Sequence, residues 1–319
     1  MDRIKIGLFG VGHLGKIHLK CLQKTEFEIV GIYDPHPLAQ EFVQKEYKLP
    51  IFDSAMALID VVDAVDIVST TQTHFDIGML AIRNGKHAFI EKPIASTLTQ
   101  AKELEEATSR YNVKVQIGHV ERYNPAIVSL KNRNVSPKFI EGHRLTTFNS
   151  RGNDVSVILD LMIHDIDLIL ELVKSEIVDV QANGVCVVND TPDICNARIT
   201  FQNGCVANLT ASRISVKQMR KLRLFQENEY ISLDFLKQES QIIKLKPLQE
   251  GEVSNSMTID TASGKKIIKI ENPEIIENNA IEEELKDFYN SINNDVDVSV
   301  TVGAGVKALE LAHLIASKI

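Results

Sequence analysis

The order of apolar runs predicts an α/β chain in two parts. The first is a doubly wound, parallel sheet. The second is an α/β domain with a large, mostly antiparallel open sheet. Three observations carry this. From residue 3 to about 118, strand-length apolar runs alternate with helical stretches, the pattern of a parallel sheet covered on both faces. The first alternation contains Gly10-Val11-Gly12-His13-Leu14-Gly15 between a strand and a helix. Beyond residue 120, long strand-like runs follow one another with turn residues between them.

Each element follows from its residues. The run from Ile4 to Phe9 is a strand. Gly10 permits a tight turn, Gly12 lets the backbone approach a pyrophosphate, and Gly15 lets helix and strand pack closely. The helix that follows places Leu14, Ile17, His18, Cys21 and Leu22 on one side. Its first N–H groups and its dipole favour a phosphate. The next strand, 28–34, ends in Asp34, about twenty residues past the glycines, where an acid accepts both ribose hydroxyls of an adenosine. A carboxylate there repels a 2′-phosphate, which predicts NAD over NADP, with His36 the residue able to reverse the choice. The alternative is an ordinary glycine turn with Asp34 capping a loop.

A helix over 37–47, a short apolar piece at 50–52 and a helix capped by Asp53 or Ser54 come next. Strands at 64–69, 87–91 and 113–118 then alternate with helices at 73–84, closed by Gly85, and 99–111. Ligands bind at the carboxyl ends of such strands. Those ends carry the glycine turn, Asp34, Thr70, Thr71 and His74, Glu91-Lys92-Pro93, and His119. The domain boundary falls at 120/121. A short helix at 124–131, a strand at 138–148 and a strongly apolar helix at 157–173 follow. Strands are then expected at 177–189, 194–202, 205–215, 219–226, 229–236 and 239–246. Val178, Val180, Ala182, Val185 and Val187 predict an apolar sheet face that needs cover, met by a symmetric homodimer or homotetramer. Residues 249–273 read as a polar, irregular flap, and helices at 276–292 and 303–318 close the chain.

Composition bounds the function. A net charge of −8 argues against a general nucleic-acid binder. No apolar run has the length of a membrane span, and no signal-peptide pattern opens the chain, so a cytoplasmic protein is expected. Cys21, Cys186, Cys195 and Cys205 lack metal-ligand spacing and read as reduced thiols, so no metal is expected.

Lys92 ends a strand where the nicotinamide end of a dinucleotide would lie. There it can stabilise negative charge on a substrate oxygen, or it is a surface lysine. Asp160 and His164 are spaced i, i+4 in the apolar helix, with Asp167 further along, and a carboxylate-oriented histidine can take the proton of an alcohol. The alternative is a satisfied core histidine. His119, Glu121, Arg122 and Asn124 contact substrate or pin the domain junction. His74 touches cofactor or caps its helix. Arg213, Lys217, Arg220, Lys221 and Arg223 form a basic run, which is a solvated face or a phosphate site, with Arg122, Arg144 and Arg151 as further cations.

With these residues in place the sequence resembles the glucose-fructose oxidoreductase/inositol dehydrogenase/rhizopine catabolism (Gfo/Idh/MocA) family. The resemblance rests on the glycine turn, Thr71-Gln72-Thr73-His74, the stretch from Gly85 to Glu91-Lys92-Pro93, the stretch from Gly118 to Pro125, and Asp160 with His164. It implies a Rossmann domain, a second domain whose open sheet builds dimers or tetramers, and NAD(P)-dependent oxidation or reduction of sugars and polyols. It implies that Lys92 is the catalytic lysine and that Asp160 and His164 are the second-domain pair, with His164 as acid/base. Many relatives have glycine where Met162 stands, so packing there, and with it the substrate, is expected to differ. The first strand begins almost at once, without the extension that helps glucose-fructose oxidoreductase retain NADP, so a releasable cofactor is expected. The stretches Gly118–Pro125 and Asp160–Asp167 look most like the UDP-N-acetylglucosamine 3-dehydrogenases. That resemblance predicts a UDP-sugar substrate, with Arg151 and Arg213 among the residues that bind it. Two other functions fit the pattern: a non-catalytic dinucleotide sensor, against which Lys92, Asp160 and His164 argue, and a reductase of a dihydrodiol or imine.

Overall fold

The computed structural model describes residues 3–148, 155–248, 257–262 and 264–319. The chain forms two compact units, Met1–Tyr123 with Asn279–Glu310, and Asn124–Asn278 with Leu311–Ile319. The first unit therefore takes back a stretch of late sequence, a return that a single cut at 120/121 does not contain.

In the first unit the strands are β1 (Lys5–Phe9), β2 (Glu28–Tyr33), β3 (Ala64–Ile67), β4 (His87–Glu91) and β5 (Val115–Gly118). They form a parallel sheet in the order β2-β1-β3-β4-β5. Helices α1 (His13–Leu22), α2 (Pro37–Glu46), α3 (Ala55–Ile59), α4 (Thr71–Arg83) and α5 (Leu98–Tyr111) connect them. Both sheet faces are covered, which is why these strands read as continuous apolar runs. Ser54, not Asp53, caps α3, accepting the Ala57 N–H at 3.2 Å. Gly85 ends α4 at φ +69°, and Thr97 with Gln100 forms a capping box on α5. The later helix α8 (Ala280–Asn293) belongs to this core: Leu285 and Phe288 are buried with Ile6, Leu22, Phe27 and Phe89.

The second unit opens with α6 (Pro125–Val128), capped by the Asn124 side chain. Strands β6 (Phe139–Leu145), β7 (Ile177–Val185), β8 (Ile194–Phe201), β9 (Val206–Ser212), β10 (Met219–Gln226), β11 (Glu229–Asp234) and β12 (Glu239–Pro247) follow. The expected irregular flap contains two more, β13 (Thr258–Thr261) and β14 (Gly264–Glu271), with 249–256 outside the described residues. Ile267 and Ile268 are adjacent and lie among Lys265, Lys266 and Lys269, so no clean alternation marks β14, and pairing with β12 supplies the hydrogen bonds that make the hairpin a sheet edge. The nine-stranded sheet runs β13-β14-β12-β11-β10-β6-β9-β8-β7 and is antiparallel except where β6 pairs with β9. The apolar segment begins as a π-helical turn (Ile158–Met162) and continues as α7 (Ile163–Val173). Ile140, Ala197, Ile199, Ala207, Leu209, Leu222 and Leu224 supply the buried side of the sheet.

The expected apolar stripe differs from the observed one. Val180 is 6% exposed but Val178 is 60% exposed, because the register slips between Ile177 and Asp179 and breaks the alternation. The opposite face is polar at its centre, where Glu141, His143, Gln181, Asn183, Arg198 and Thr210 line a cavity of about 580 Å³. The exposed valines, Val178, Val185, Val187 and Val188, belong to edge strand β7 and the residues after it. Among the described residues, no helix is long and apolar enough to cross a membrane. All four cysteines are free, and burial pushes the Cys195 and Cys205 thiols up to about 11.

Candidate functional site

Strand register gathers the first set of residues. Phe9 pairs with Tyr33 and Ile67, Ile67 with Ile90, and Glu91 with Gly118. The residues just beyond those pairs therefore share one edge of the sheet: Gly10, Asp34, Val68, Lys92 and His119. Gly10 has φ +88°, and a Cβ at Gly15 would lie 2.1 Å from the Gly10 carbonyl oxygen, so both positions require glycine. Asp34 is 6% exposed, and its carboxylate accepts the Val11 N–H at 2.6 Å and the His36 N–H at 2.8 Å. These bonds aim it at the turn. Among the described residues no side chain caps the start of α1 at Gly12, and His13 is exposed beside it, with Leu14 half-buried.

His74 is committed within the protein. Its Nδ1 lies 2.8 Å from the Pro93 carbonyl and its Nε2 3.1 Å from that of Ser69. Burial holds its pKa below the ordinary value, and both ring nitrogens face main-chain carbonyls. The ring ties the end of β3 to the Glu91-Lys92-Pro93 turn and does not cap α4. Thr70 stands at the N-cap of α4 without a side-chain cap bond, and Thr71 opens the helix.

Behind Lys92 lies a buried charged cluster. His18 Nδ1 is 3.1 Å from Asp66 Oδ2, and His18 Nε2 is 3.3 Å from Glu91 Oε1. Glu91 Oε2 accepts the Lys92 N–H at 2.9 Å. Glu284, fully buried on α8, completes a group in which His18, Glu91 and Glu284 place ligand atoms within 4.8 Å of one another. Burial alone would lower the His18 pKa, but Asp66 and Glu91 outweigh it and hold the imidazole well above its ordinary value. Burial would raise Glu91, yet His18 holds it low. Burial, with Glu91 close by, drives Glu284 well above the carboxylate range, so it is the neutral acid of the set.

The second unit carries the other set. Asp160 lies in the π-helical turn, with its N–H donated to the Ser156 carbonyl at 2.9 Å, and His164 lies in the first turn of α7; both are half-buried. π-turns recur at functional positions because they re-aim side chains within a helix. Met162 is fully buried, so its side-chain volume goes into the core. Arg144 reaches Asp165 by two hydrogen bonds, 2.8 and 3.1 Å, with both residues buried. Asp167 is buried on α7.

The remaining candidates separate. His119 and Glu121 are buried and Arg122 is half-buried, all in the first unit. Asn124 is used structurally in the second, accepting from Ala126 and donating to the Phe235 carbonyl at 3.1 Å. Arg151 lies outside the described residues. In the basic run, Lys221 pairs with Asp234 at 3.2 Å and Arg223 with Glu141 at 2.7 Å. Arg213 differs. It is 5% exposed, gives one guanidinium bond to the Val155 carbonyl, and its Nε and Nη1 have no hydrogen-bond partner among the described residues.

Comparison with known proteins places this arrangement. Residues 4–119 match the family described as "Oxidoreductase family, NAD-binding Rossmann fold", and residues 128–231 match the "GFO/IDH/MocA C-terminal domain". A UDP-N-acetylglucosamine 3-dehydrogenase of Acidithiobacillus ferrooxidans is 35% identical over 293 residues, 92% of this chain and 90% of that protein. The chain belongs to the Gfo/Idh/MocA oxidoreductase family. The solved structure of UDP-N-acetylglucosamine 3-dehydrogenase GnnA from A. ferrooxidans superimposes with a TM-score of 0.89 at 33% identity, covering 100% of this chain and 98% of that one. The scyllo-inositol 2-dehydrogenase (NAD(+)) of Bacillus subtilis is 28% identical over 233 residues, 67% of this chain and 68% of that protein.

Membership in this NAD-binding family makes the chain a dinucleotide-dependent dehydrogenase, and its residues fit the cofactor. Gly12 is exposed and a Cβ there would meet nothing within 4 Å, so the backbone faces open space that a pyrophosphate could enter. The start of α1 and the carboxylate of Asp34, held toward the turn by its bonds to Val11 and His36, are groups that could hold the pyrophosphate and the ribose. Sequence reading placed His18 only on the apolar side of a helix and passed over Asp66 and Glu284. The available signal was Asp66 itself, a carboxylate in the middle of a fully buried strand, which needs a partner.

Proposed function

We propose that this family member oxidises a secondary hydroxyl of a UDP-linked sugar, UDP-N-acetylglucosamine or a close analogue, with NAD as hydride acceptor. The observation that carries this is the 35% identity across 92% of the chain to a UDP-N-acetylglucosamine 3-dehydrogenase. The bound nicotinamide supplies the acceptor for the C–H hydride. His164 takes the hydroxyl proton as the C–O bond becomes a carbonyl, and Asp160 orients the imidazole. Lys92 donates to a substrate oxygen and stabilises developing negative charge there. Asp34 selects NAD over NADP, its carboxylate repelling a 2′-phosphate. Arg213 is the cation of the basic run best suited to a diphosphate, since Lys221 and Arg223 already have carboxylate partners. The exposed valines at and after edge strand β7 support a homo-oligomer, and light scattering at micromolar concentration tests it; a monomer would reject it.

A thermal-shift panel with NAD tests the substrate. UDP-N-acetylglucosamine is expected to raise the melting temperature with saturation, while free inositol and glucose leave it unchanged. Stabilisation by free polyols alone would reject the UDP-sugar reading. In turnover, His164→Ala and Lys92→Met are each expected to lower kcat by about a hundred- to ten-thousand-fold with cofactor affinity retained. Parental rates in both variants would move the site elsewhere. Fluorescence titration is expected to rank NADH above NADPH, and Asp34→Ala to narrow that difference.

A further inference from the structure

We propose that His18 is a positioning residue for Lys92, acting through Glu91. The inference rests on the reading of Lys92 as the group that meets the reacting oxygen. One imidazolium joins three elements. His18 lies on α1, the helix that starts at the glycine turn. Its two ring nitrogens reach Asp66 on β3 and Glu91 at the end of β4, 3.1 and 3.3 Å away. The other Glu91 oxygen accepts the main-chain N–H of Lys92. Gly118 of the neighbouring strand makes room for that carboxylate, since a Cβ there would lie 2.8 Å from Glu91 Oε1. The backbone that presents Lys92 is thus bonded to a carboxylate whose own placement depends on a cation from α1.

The groups facing His18 explain why it must be charged. Asp66, Glu91 and Glu284 approach from β3, β4 and α8, Phe89 packs edge-on at 5.7 Å, and Cys21 shares its helix. Both carboxyl oxygens of Glu284 lack a hydrogen-bond partner among the described residues, and burial with Glu91 close by favours its neutral form. A neutral residue at position 18 leaves two buried carboxylates without the cation they share. Glu91 then takes up a proton more readily, loses acceptor strength toward the Lys92 N–H, and frees the turn. Misplacement of a catalytic group by about 1 Å can cost about a hundredfold in rate.

The test compares His18→Gln, His18→Leu and Lys92→Met in the full-length protein with NAD and UDP-N-acetylglucosamine. Gln keeps two N–H donors without the charge, and Leu removes both. The expected result for His18→Gln is a kcat lowered roughly tenfold, KM for NAD near the parent's, and an acid limb of the kcat–pH profile moved to higher pH. His18→Leu is expected to lose more. In the protein without cofactor, His18→Gln should flatten the dependence of melting temperature on pH above the ordinary histidine range, a readout independent of turnover. Parental kcat and pH profile in folded His18→Gln, with Lys92→Met inactive, would overturn the positioning role alone. Full activity in Lys92→Met would overturn the role assigned to Lys92 and this inference with it. A stoichiometric divalent ion in the purified parent, lost in His18→Gln, would also overturn it, because His18 would then be a ligand and not a cation.

Discussion

Each unit buries an ionic site, and the two are built on opposite principles. Arg144 and Asp165 in the second unit are one cation and one anion, joined by two hydrogen bonds, at 2% and 3% exposure. His18 in the first unit is one cation among three carboxyl groups. A balanced pair needs no proton to remain buried. It fixes the start of α7 against β6, and with it the helix that carries His164. An unbalanced cluster can stay buried only by holding protons, so its stability must follow pH. The lesson is that buried charge can serve geometry in either form, but only the second form makes that geometry titrate.

The largest effect is expected from breaking the balanced pair. Arg144→Met removes the guanidinium that gives buried Asp165 two hydrogen bonds and should cost about 3–5 kcal/mol in urea unfolding. The double variant Arg144→Met/Asp165→Leu should recover most of that loss; failure to recover would show that the pair supplies more than charge balance.

A smaller effect, opposite in sign, is expected in the cluster. His18 and Glu284 both titrate higher folded than unfolded, so the folded chain binds more protons than the unfolded one. The stabilisation from His18 is full below its ordinary value of 6.5 and is lost as pH rises through its raised folded value. Glu284 adds a cost that grows with pH above its ordinary 4.5, as the unfolded side chain ionises. Glu91, held low by His18, works the other way at acid pH. Glu284→Gln should therefore raise the melting temperature at neutral and mildly alkaline pH, and its advantage should vanish below pH 4.5. A gain that persists unchanged in acid would show that it does not come from the proton Glu284 holds in the folded state.

The smallest effect is expected at the surface. Arg223 and Glu141 pair at 2.7 Å with about a third of each side chain exposed, and Arg223→Ala should cost only about 0.2–1 kcal/mol. A loss as large as that of Arg144→Met would mean that exposure does not grade these pairs.

What the sequence determined by itself is what is encoded locally. The glycine turn is legible because Gly10 and Gly15 answer steric demands within a few residues of themselves, and Asp34 because it follows one strand later. The parallel sheet is legible because both-face burial writes continuous apolar runs, and the long strands of the second unit because burial of one face writes alternation. Tertiary structure decided the rest, because the partners are far apart in the chain. His18 meets Asp66 across 48 positions, and Gln116 donates to the Glu284 carbonyl across 168. No local pattern states that α8 returns to the first unit, or that Lys221 and Arg223 are answered by Asp234 and Glu141. The hairpin of β13 and β14 exists by pairing with β12, and the slip in β7 exists by register with β8. Periodicity reports which side of an element is dry. Only the folded chain decides which charges meet there, and therefore which of them hold a proton.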